Sequence, residues 1–336
     1  MSVLSYGDLA STFLTRRQSS GLKADLTRLG TEMSTGKKQD LGRALGGDFG
    51  RFAGIERSLK AVAAYKTANS EASSMLSAAQ LALGNVQDMG QELSPALLTA
   101  ANAADVTLIG ATSEDARQKF GAVVSTLNVQ PAGRSLFGCA ATDRPALASG
   151  DEIMAELMTT TAAETTAAGI LAAVDAWFDT PGGGFENLGY LGSVNDMGPL
   201  VIADDETAEL SVRADDAAIR DTLKGFALAG MVAEGAPAGN VQEQAALMEA
   251  AAENMLTSDG GVTNLRARLG AVEARVDGAQ ARNSAEAAAY ELARTELIGA
   301  DPYEAASALE AVYSQIETLY TVTAHIAGLT FTDYMK

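Results

Sequence analysis

The sequence predicts a mainly α protein: a long antiparallel coiled-coil rod built from N- and C-terminal helices, with a small α+β insert at its tip. Three observations carry this. Apolar residues recur at three- and four-residue spacing near both ends of the chain. Alanine is abundant while aromatics make up 5% of the 336 residues, a composition that favours long, closely packed helices over a β-sandwich. Only the middle combines turn residues with short β-like runs.

The first element is a heptad seam. Leu22, Leu26, Leu29 and Met33 are spaced four, three and four apart, so they form one stripe on a helix. Gly36 in "STGKK" is the expected stop. The paired glycines of "LGRALGGDFGRF" are read as a break. Phe52, Ile55, Leu59 and Val62 then restart the spacing, and helix formers continue to "LLTAANAAD", with Pro95 expected to kink or break the run. Left continuous, about 50 residues at 1.5 Å each make a rod of roughly 75 Å. "SEDARQKFGAVVSTLNVQ" follows as another helix. Ser113 is its expected cap, with Glu114 and Asp115 in the first turn, and Pro131 and Gly133 close it.

The middle changes character. "AGRSLFGCAATDRPALASG" is turn-rich and is expected to hold a hairpin. "GDEIMAELMTTTAAETTAAGILAAVDAWFDT" reads as one or two helices, the first capped by Asp151. "PGGGFENLGYLGSVNDMGP" reads as a loop or irregular strand, its glycine run most simply a flexible loop. "LVIADDETAELSVRA" has two β-like runs, and "DDAAIRDTLKGFALAGMVAEG" reads as an amphipathic helix.

The helical pattern then returns. Val262, Leu265, Leu269, Val272, Val276 and Ala279 alternate three and four apart, and Ala245, Met248, Ala252 and Met255 extend the seam backwards. "GADPYEAAS" interrupts it, with Pro302 early in a new helix, where proline is tolerated. That last helix carries Leu309, Val312, Ile316, Leu319, Ile326 and Leu329. The chain thus divides into a terminal helix over 1–38, rod helices over 39–130, a central α+β insert over 131–239, a rod helix over 240–299 and a terminal helix over 300–336. No repeat of 20–50 residues is present, which argues against a solenoid.

Lys plus Arg number 24 against 43 Asp plus Glu, a formal charge of −19, so the chain has no electrostatic reason to seek nucleic acid or an anionic membrane. Catalytic readings do badly. The single histidine, His325, sits in the terminal apolar helix and has no second histidine with which to build a His-rich metal site. Cys139, the lone cysteine, reads as a small, partly buried residue and allows no internal disulfide. "GTEMSTGKK" fails as a P-loop: five residues separate Gly30 from Gly36, Lys38 stands where Ser or Thr belongs, and a helix precedes it. The carboxylates of "ADDETAE" match no EF-hand loop and read as a solvated turn. No cofactor is expected. The opening stretch has no apolar h-region and no cleavage site. No run approaches the roughly 18 apolar residues that span a bilayer. The expectation is a cytoplasmic protein, or one exported without a Sec-type signal.

The two ends together resemble the flagellin superfamily. "LKADLTRLGTEMSTGKK" is similar to the flagellin pattern of spaced leucines before a turn. "LSAAQLALGNV" resembles the end of the next flagellin helix, and "YSQIETLYTVTAHIAGLTFTDYM" resembles the flagellin C-terminal signature, at Ile316, Leu319, Tyr320, Ile326, Leu329, Phe331 and Tyr334. "AGRSLFGCAATDRPAL" resembles a stretch of hook-associated proteins of the hook–filament junction. That stretch and an opening without the usual "INTN" favour a junction protein, of alphaproteobacterial type, over a filament flagellin. A filament flagellin and a cytoplasmic coiled-coil scaffold remain the alternatives. The resemblance implies D0-like and D1-like terminal segments and a structural, non-enzymatic role. It also implies secretion through the flagellar type III apparatus and a chaperone for the C-terminal segment. It implies self-association in an axial ring beside another hook-associated protein and flagellin, without membrane insertion. It assigns assembly to Leu22, Leu26, Leu29, Met33, Leu309, Val312, Ile316, Leu319, Tyr320, Ile326, Leu329 and Phe331. Phe52, Ile55, Leu59, Val62, Leu265, Leu269, Val272 and Val276 are left to pack the rod.

Overall fold

The computed structural model describes residues Tyr6–Gly328, with side chains described from Thr12 to His325. The described chain is mainly helical: α1 (Tyr6–Thr35), α2 (Leu41–Ala44), α3 (Gly50–Ala103), α4 (Val106–Leu127), α5 (Gly150–Thr160), α6 (Ala167–Asp179), then strands β1 (Leu200–Ala203) and β2 (Glu206–Ala208), then α7 (Ala217–Ala233), α8 (Val241–Ile298) and α9 (Pro302–Gly328). It divides into two compact units, residues 64–283 and residues 1–63 with 284–336, and α3 and α8 contribute to both.

In the unit of residues 64–283, α3 and α8 run antiparallel. Gln80 donates to the Arg266 carbonyl at 2.9 Å, Gln87 to Asp259 and Thr263 at 2.9 Å each, and Ser94 to the Ala252 carbonyl at 3.4 Å. Rising numbers on one helix thus meet falling numbers on the other. Between them lie Leu76, Leu83, Val86, Leu93 and Leu97 of α3 and Met248, Val262, Leu265, Leu269 and Val276 of α8, all buried. Each fully buried side chain of this size contributes about 1.5–3 kcal/mol. Pro95 does not break α3. It lies on the exposed side, so the carbonyl its ring leaves without an N–H partner faces water.

α4 starts seven residues before "SEDARQ", at Val106, because Asp105 caps it by accepting from the amides of Thr107 and Leu108 at 3.0 Å each. Ser113, expected as the cap, is buried inside the helix and donates to the Gly110 carbonyl. Similarly Ser149, not Asp151, caps α5. Its hydroxyl accepts from the Glu152 amide, and the Glu152 carboxylate accepts from the Ser149 amide at 2.9 Å, a reciprocal capping box.

The expected hairpin over residues 132–150 does not form. Ser135 donates to Thr142 and Ala141 to Gly138 within the segment, but no strands pair, and its other bonds go to distant segments: Ala214 donates to Phe137, Ala148 to Gly189 and Leu191 to Ala146. The two β-like runs do pair, as the antiparallel β1–β2 hairpin, with the exposed Asp204 and Asp205 at its turn. Asn283, buried on α8, holds that hairpin by donating to the Ile202 carbonyl at 2.7 Å. Residues 131–239 share one continuous apolar core with α3, α4 and α8.

α7 is not amphipathic. Every residue from Thr222 to Val232 is buried. The helix fits because Gly225 faces Met255 and Asn254 of α8 while Gly230 faces Arg117 of α4 and Met154 of α5, places where a Cβ has no room. Its one buried cation, Lys224, reaches Asp175 at 2.9 Å, Asp179 at 2.5 Å and Asp221 at 3.5 Å. In the glycine run of "PGGGF", Gly182 is exposed but Gly183 and Gly184 are closely packed. Trp177, Phe178 and Phe185 form an aromatic cluster, with Phe178 stacked on Phe185 at 5.4 Å. A Cβ on Gly184 would overlap the Trp177 indole.

Two predictions follow from this packing. Gly184→Ala is expected to lose about 1–3 kcal/mol in urea unfolding, and an unchanged midpoint would refute the close packing. Lys224→Met is expected to lose about 2 kcal/mol near neutral pH. Burial acts to lower the Lys224 pKa, and hydrogen bonds to Asp179 and Asp175 more than reverse it, so the ammonium titrates above its ordinary 10.5. With the folded value raised, the stabilisation is complete below 10.5 and disappears as pH rises through the folded value. The gap between wild type and Lys224→Met should therefore be constant from pH 7 to 9 and narrow above pH 11.

Candidate assembly surface

The candidate surface lies in the unit of residues 1–63 and 284–336. α1 ends at Thr35 because Gly36 takes φ +65°, the left-handed conformation that closes helices. Immediately beyond, Lys38 donates to the Ile298 carbonyl at 2.8 Å and Ala300 to the Gly36 carbonyl at 2.9 Å. Asp301 caps α9 by accepting from the Tyr303 amide at 2.8 Å, with Pro302 at its first turn as the sequence predicts. The end of α1 therefore meets the start of α9, and the two helices pack along each other antiparallel. Arg294 and Glu56 form an ion pair at 3.5 Å between α8 and α3 in the same unit.

The predicted seam is only partly covered by this pairing. Leu22 and Leu29 are buried and Leu26 half-buried on α1, while Leu309, Val312, Ile316 and Leu319 are half-buried on α9. Met33 and Tyr320 are exposed. The side chain of Ile326, and Leu329 and Phe331 altogether, lie outside the described residues. Of the packing positions, Val62, Leu265, Leu269 and Val276 are buried and Phe52, Ile55, Leu59 and Val272 half-buried.

α9 also carries apolar side chains that α1 does not cover. Tyr313 and Tyr320, one heptad apart on one face, are exposed at 56% and 55%, and Tyr303 and Val322 are exposed on other faces, at 84% and 48%. On α1, Phe13 and Leu14 are exposed at 66% and 62%. The sequence reading missed Tyr313, although it stands one heptad before Tyr320. It also missed Glu32, which is buried at the closed end of the pair. Glu32 accepts from the Gln39 amide at 3.0 Å and from Arg28 at 3.3 Å. Polarity at a stripe edge concealed it.

Charge supports the pairing. Residues 1–63 carry ten Lys or Arg and six Asp or Glu, and residues 284–336 carry two and eight. The two halves of the pair are therefore opposite in sign. A groove of about 420 Å³ opens beside the closed end, lined by Arg28, Lys38, Arg43, Asp301 and Glu304.

Cys139 is buried, and burial followed by Asp196 pushes its thiol up to about 11, away from a reactive thiolate. His325 lies exposed in the last turn of α9. Among the described residues no His, Cys, Asp or Glu cluster has metal-binding geometry, and no helix is long and apolar enough to cross a membrane.

The paired terminal helices thus leave one face of α9, at Tyr313 and Tyr320, open to contact. Residues 240–334 match the family described as the bacterial flagellin C-terminal helical region, so α8, α9 and the residues beyond are flagellin-like. No curated protein matches the chain. Among solved structures, FlgL of Bacillus cereus is similar at 15% identity and a TM-score of 0.52, over 72% of this chain and all of that one. A flagellar hook-associated protein of Vibrio parahaemolyticus aligns at 14% identity and a TM-score of 0.48, over 73% of this chain and 95% of that one. The fold is thus similar to that of Bacillus cereus FlgL, with a C-terminal segment similar to the flagellin C-terminal helical region.

If the exposed Tyr313–Tyr320 face mediates self-association, Tyr313→Ser with Tyr320→Ser should leave the helical circular dichroism unchanged. It should raise the concentration needed for self-association by at least about tenfold, since two half-exposed aromatic side chains lose their burial. Sedimentation at matched concentrations measures this, and unchanged association would assign assembly elsewhere.

Proposed function

We propose that the protein is a structural component of the bacterial flagellar axis, joining hook to filament by polymerisation through its terminal helices. The observation that carries this reading is the exposed Tyr313–Tyr320 face of α9 left open beside its pairing with α1, within a segment similar to the flagellin C-terminal region. Neighbouring copies in an axial ring cover that face. Ordering a terminal helix costs about 1–2 kcal/mol per residue of backbone entropy, which burial of its apolar face on assembly offsets. Polymerisation is thereby tied to a template that is already ordered.

The same reading puts the protein outside the cell, in the flagellum, between another hook-associated protein and flagellin. It travels there through the flagellar type III apparatus, with an export chaperone on its C-terminal segment. A chain with one cysteine forms no internal disulfide that would obstruct threading. The role is mechanical, with no catalysis and no cofactor. A second reading, a filament flagellin, is favoured by the family match itself, which is to flagellins.

A fluorescent label on the exported protein decides between them. Signal confined to the hook–filament boundary is expected, and signal along the whole filament assigns the chain to the flagellins. Deleting residues 311–336 should leave residues 64–283 folded and soluble but abolish incorporation. Normal incorporation of that truncation would overturn assembly through the terminal helices, and a cytoplasmic scaffold would follow if the label never left the cell.

A further inference from the structure

The α3–α8 pairing in residues 64–283 has a degeneracy problem. On α3 the inward positions Ala72, Leu76, Ala79 and Leu83 repeat the same two residues one heptad apart. The polar flank repeats too: Gln80 and Gln87 are seven apart on α3, and Asp259, Arg266 and Glu273 are seven apart on α8. Gln87 accepts from Arg266 at 2.7 Å and Gln80 accepts from it at 3.3 Å, so one arginine already serves both rungs. Sliding α3 by one heptad, about 10 Å, would return leucine to leucine slots, alanine to alanine slots and glutamine to glutamine slots.

Two positions on the α3 stripe break the repeat. Asn69 stands seven before Leu76 and is fully buried, and neither its Oδ1 nor its Nδ2 has a hydrogen-bond partner. Moved one heptad onward it would carry its unpartnered amide into the equally buried slot of Leu76, which the leucine repeat fills in the observed register. In the observed register it interrupts a stripe that is otherwise apolar, with buried Val62 seven before it and buried Leu76 seven after it. Gly90 stands seven after Leu83 and seven before Leu97. Its missing side chain makes room for the fully buried Phe226 of α7, whose ring lies 3.8 Å from where a Cβ would be. A slip in either direction drives Leu83 or Leu97 into that ring.

We propose that Asn69 and Gly90 are the register-setting residues of the α3–α8 pairing, selecting one alignment from a seam and flank that otherwise repeat. Asn69 does so at a cost in stability, as a single buried asparagine does in other coiled coils. Gly90 does so by shape, because its slot against Phe226 takes a Cβ at ordinary contact distance and nothing as large as leucine.

Disulfide trapping in the full-length chain with Cys139→Ser tests this. The pair Ser94→Cys with Ala252→Cys reports the observed alignment, since Ser94 reaches Ala252 there. Ser94→Cys with Ala245→Cys, or with Asp259→Cys, reports a one-heptad slip in each direction. With Asn69 and Gly90 intact, only the first pair is expected to close. Asn69→Leu, which extends the leucine repeat, should raise the thermal midpoint and increase slipped cross-linking by at least about tenfold. Gly90→Leu should also increase slipped cross-linking, whereas Gly90→Ala should not. If Asn69→Leu folds, as judged by circular dichroism, and slipped cross-linking stays at the parental level, the proposal fails. A lowered thermal midpoint in Asn69→Leu would also overturn it, because the amide would then be contributing a bond.

Discussion

The antiparallel seam between α3 and α8 is the constraint on which the rest of residues 64–283 depends. α4, α7 and residues 131–239 have no separate core. They bury their apolar faces against the one these two helices begin. That explains why α7 is buried over eleven consecutive residues from Thr222 to Val232. It lies among α4, α5 and α8, and glycines at 225 and 230 bring their backbones close. It also explains why Lys224 needs carboxylates around it, since a lysine at that depth without them would be an uncompensated charge.

What the sequence reveals follows from the range of the forces involved. Heptad spacing is local, so the seams at Leu22–Leu29 and Val262–Ala279 are legible directly, and their core-facing members are buried or half-buried. The stops at Gly36 and Pro302 are legible for the same reason, since αL glycine and first-turn proline act within one turn. Caps are read less well because several acceptors compete within a few residues. Ser149 beats Asp151, and Asp105 beats Ser113, by placing its oxygen on two free amides.

The failures are tertiary. "AGRSLFGCAATDRPALASG" has the composition of a hairpin, but its amides and carbonyls meet Gly189, Leu191 and Ala214, between 40 and 80 positions further on, which no local pattern announces. α7 contains Arg220, Asp221 and Lys224, so its sequence looks two-faced, and only the position of Asp175 and Asp179 on α6 reveals that the lysine is buried. The glycines of "PGGGF" suggest mobility until the Trp177 ring fills the space above Gly184. The candidate assembly surface was half legible. Tyr320 is marked by the resemblance to the flagellin C-terminal signature, whereas Tyr313, one heptad earlier, is not among the positions that match it.

Charge separates the two units in a way that bears on assembly. Residues 64–283 hold twelve Lys or Arg against twenty-nine Asp or Glu, whereas residues 1–63 with 284–336 hold twelve against fourteen. Nearly all the net negative charge therefore sits outside the unit that carries the exposed Tyr313–Tyr320 face. In the proposed assembly, copies that approach through their terminal helices would meet surfaces close to neutral, whose two halves already neutralise each other within one chain. Burial of Tyr313 and Tyr320 would then carry no large Coulomb penalty, and at physiological salt what repulsion the acidic unit exerts is screened within about 8 Å. The same partition opposes association through residues 64–283, where like charge meets like. The polarity of the chain thus favours one mode of self-contact over the other before any specific fit is considered.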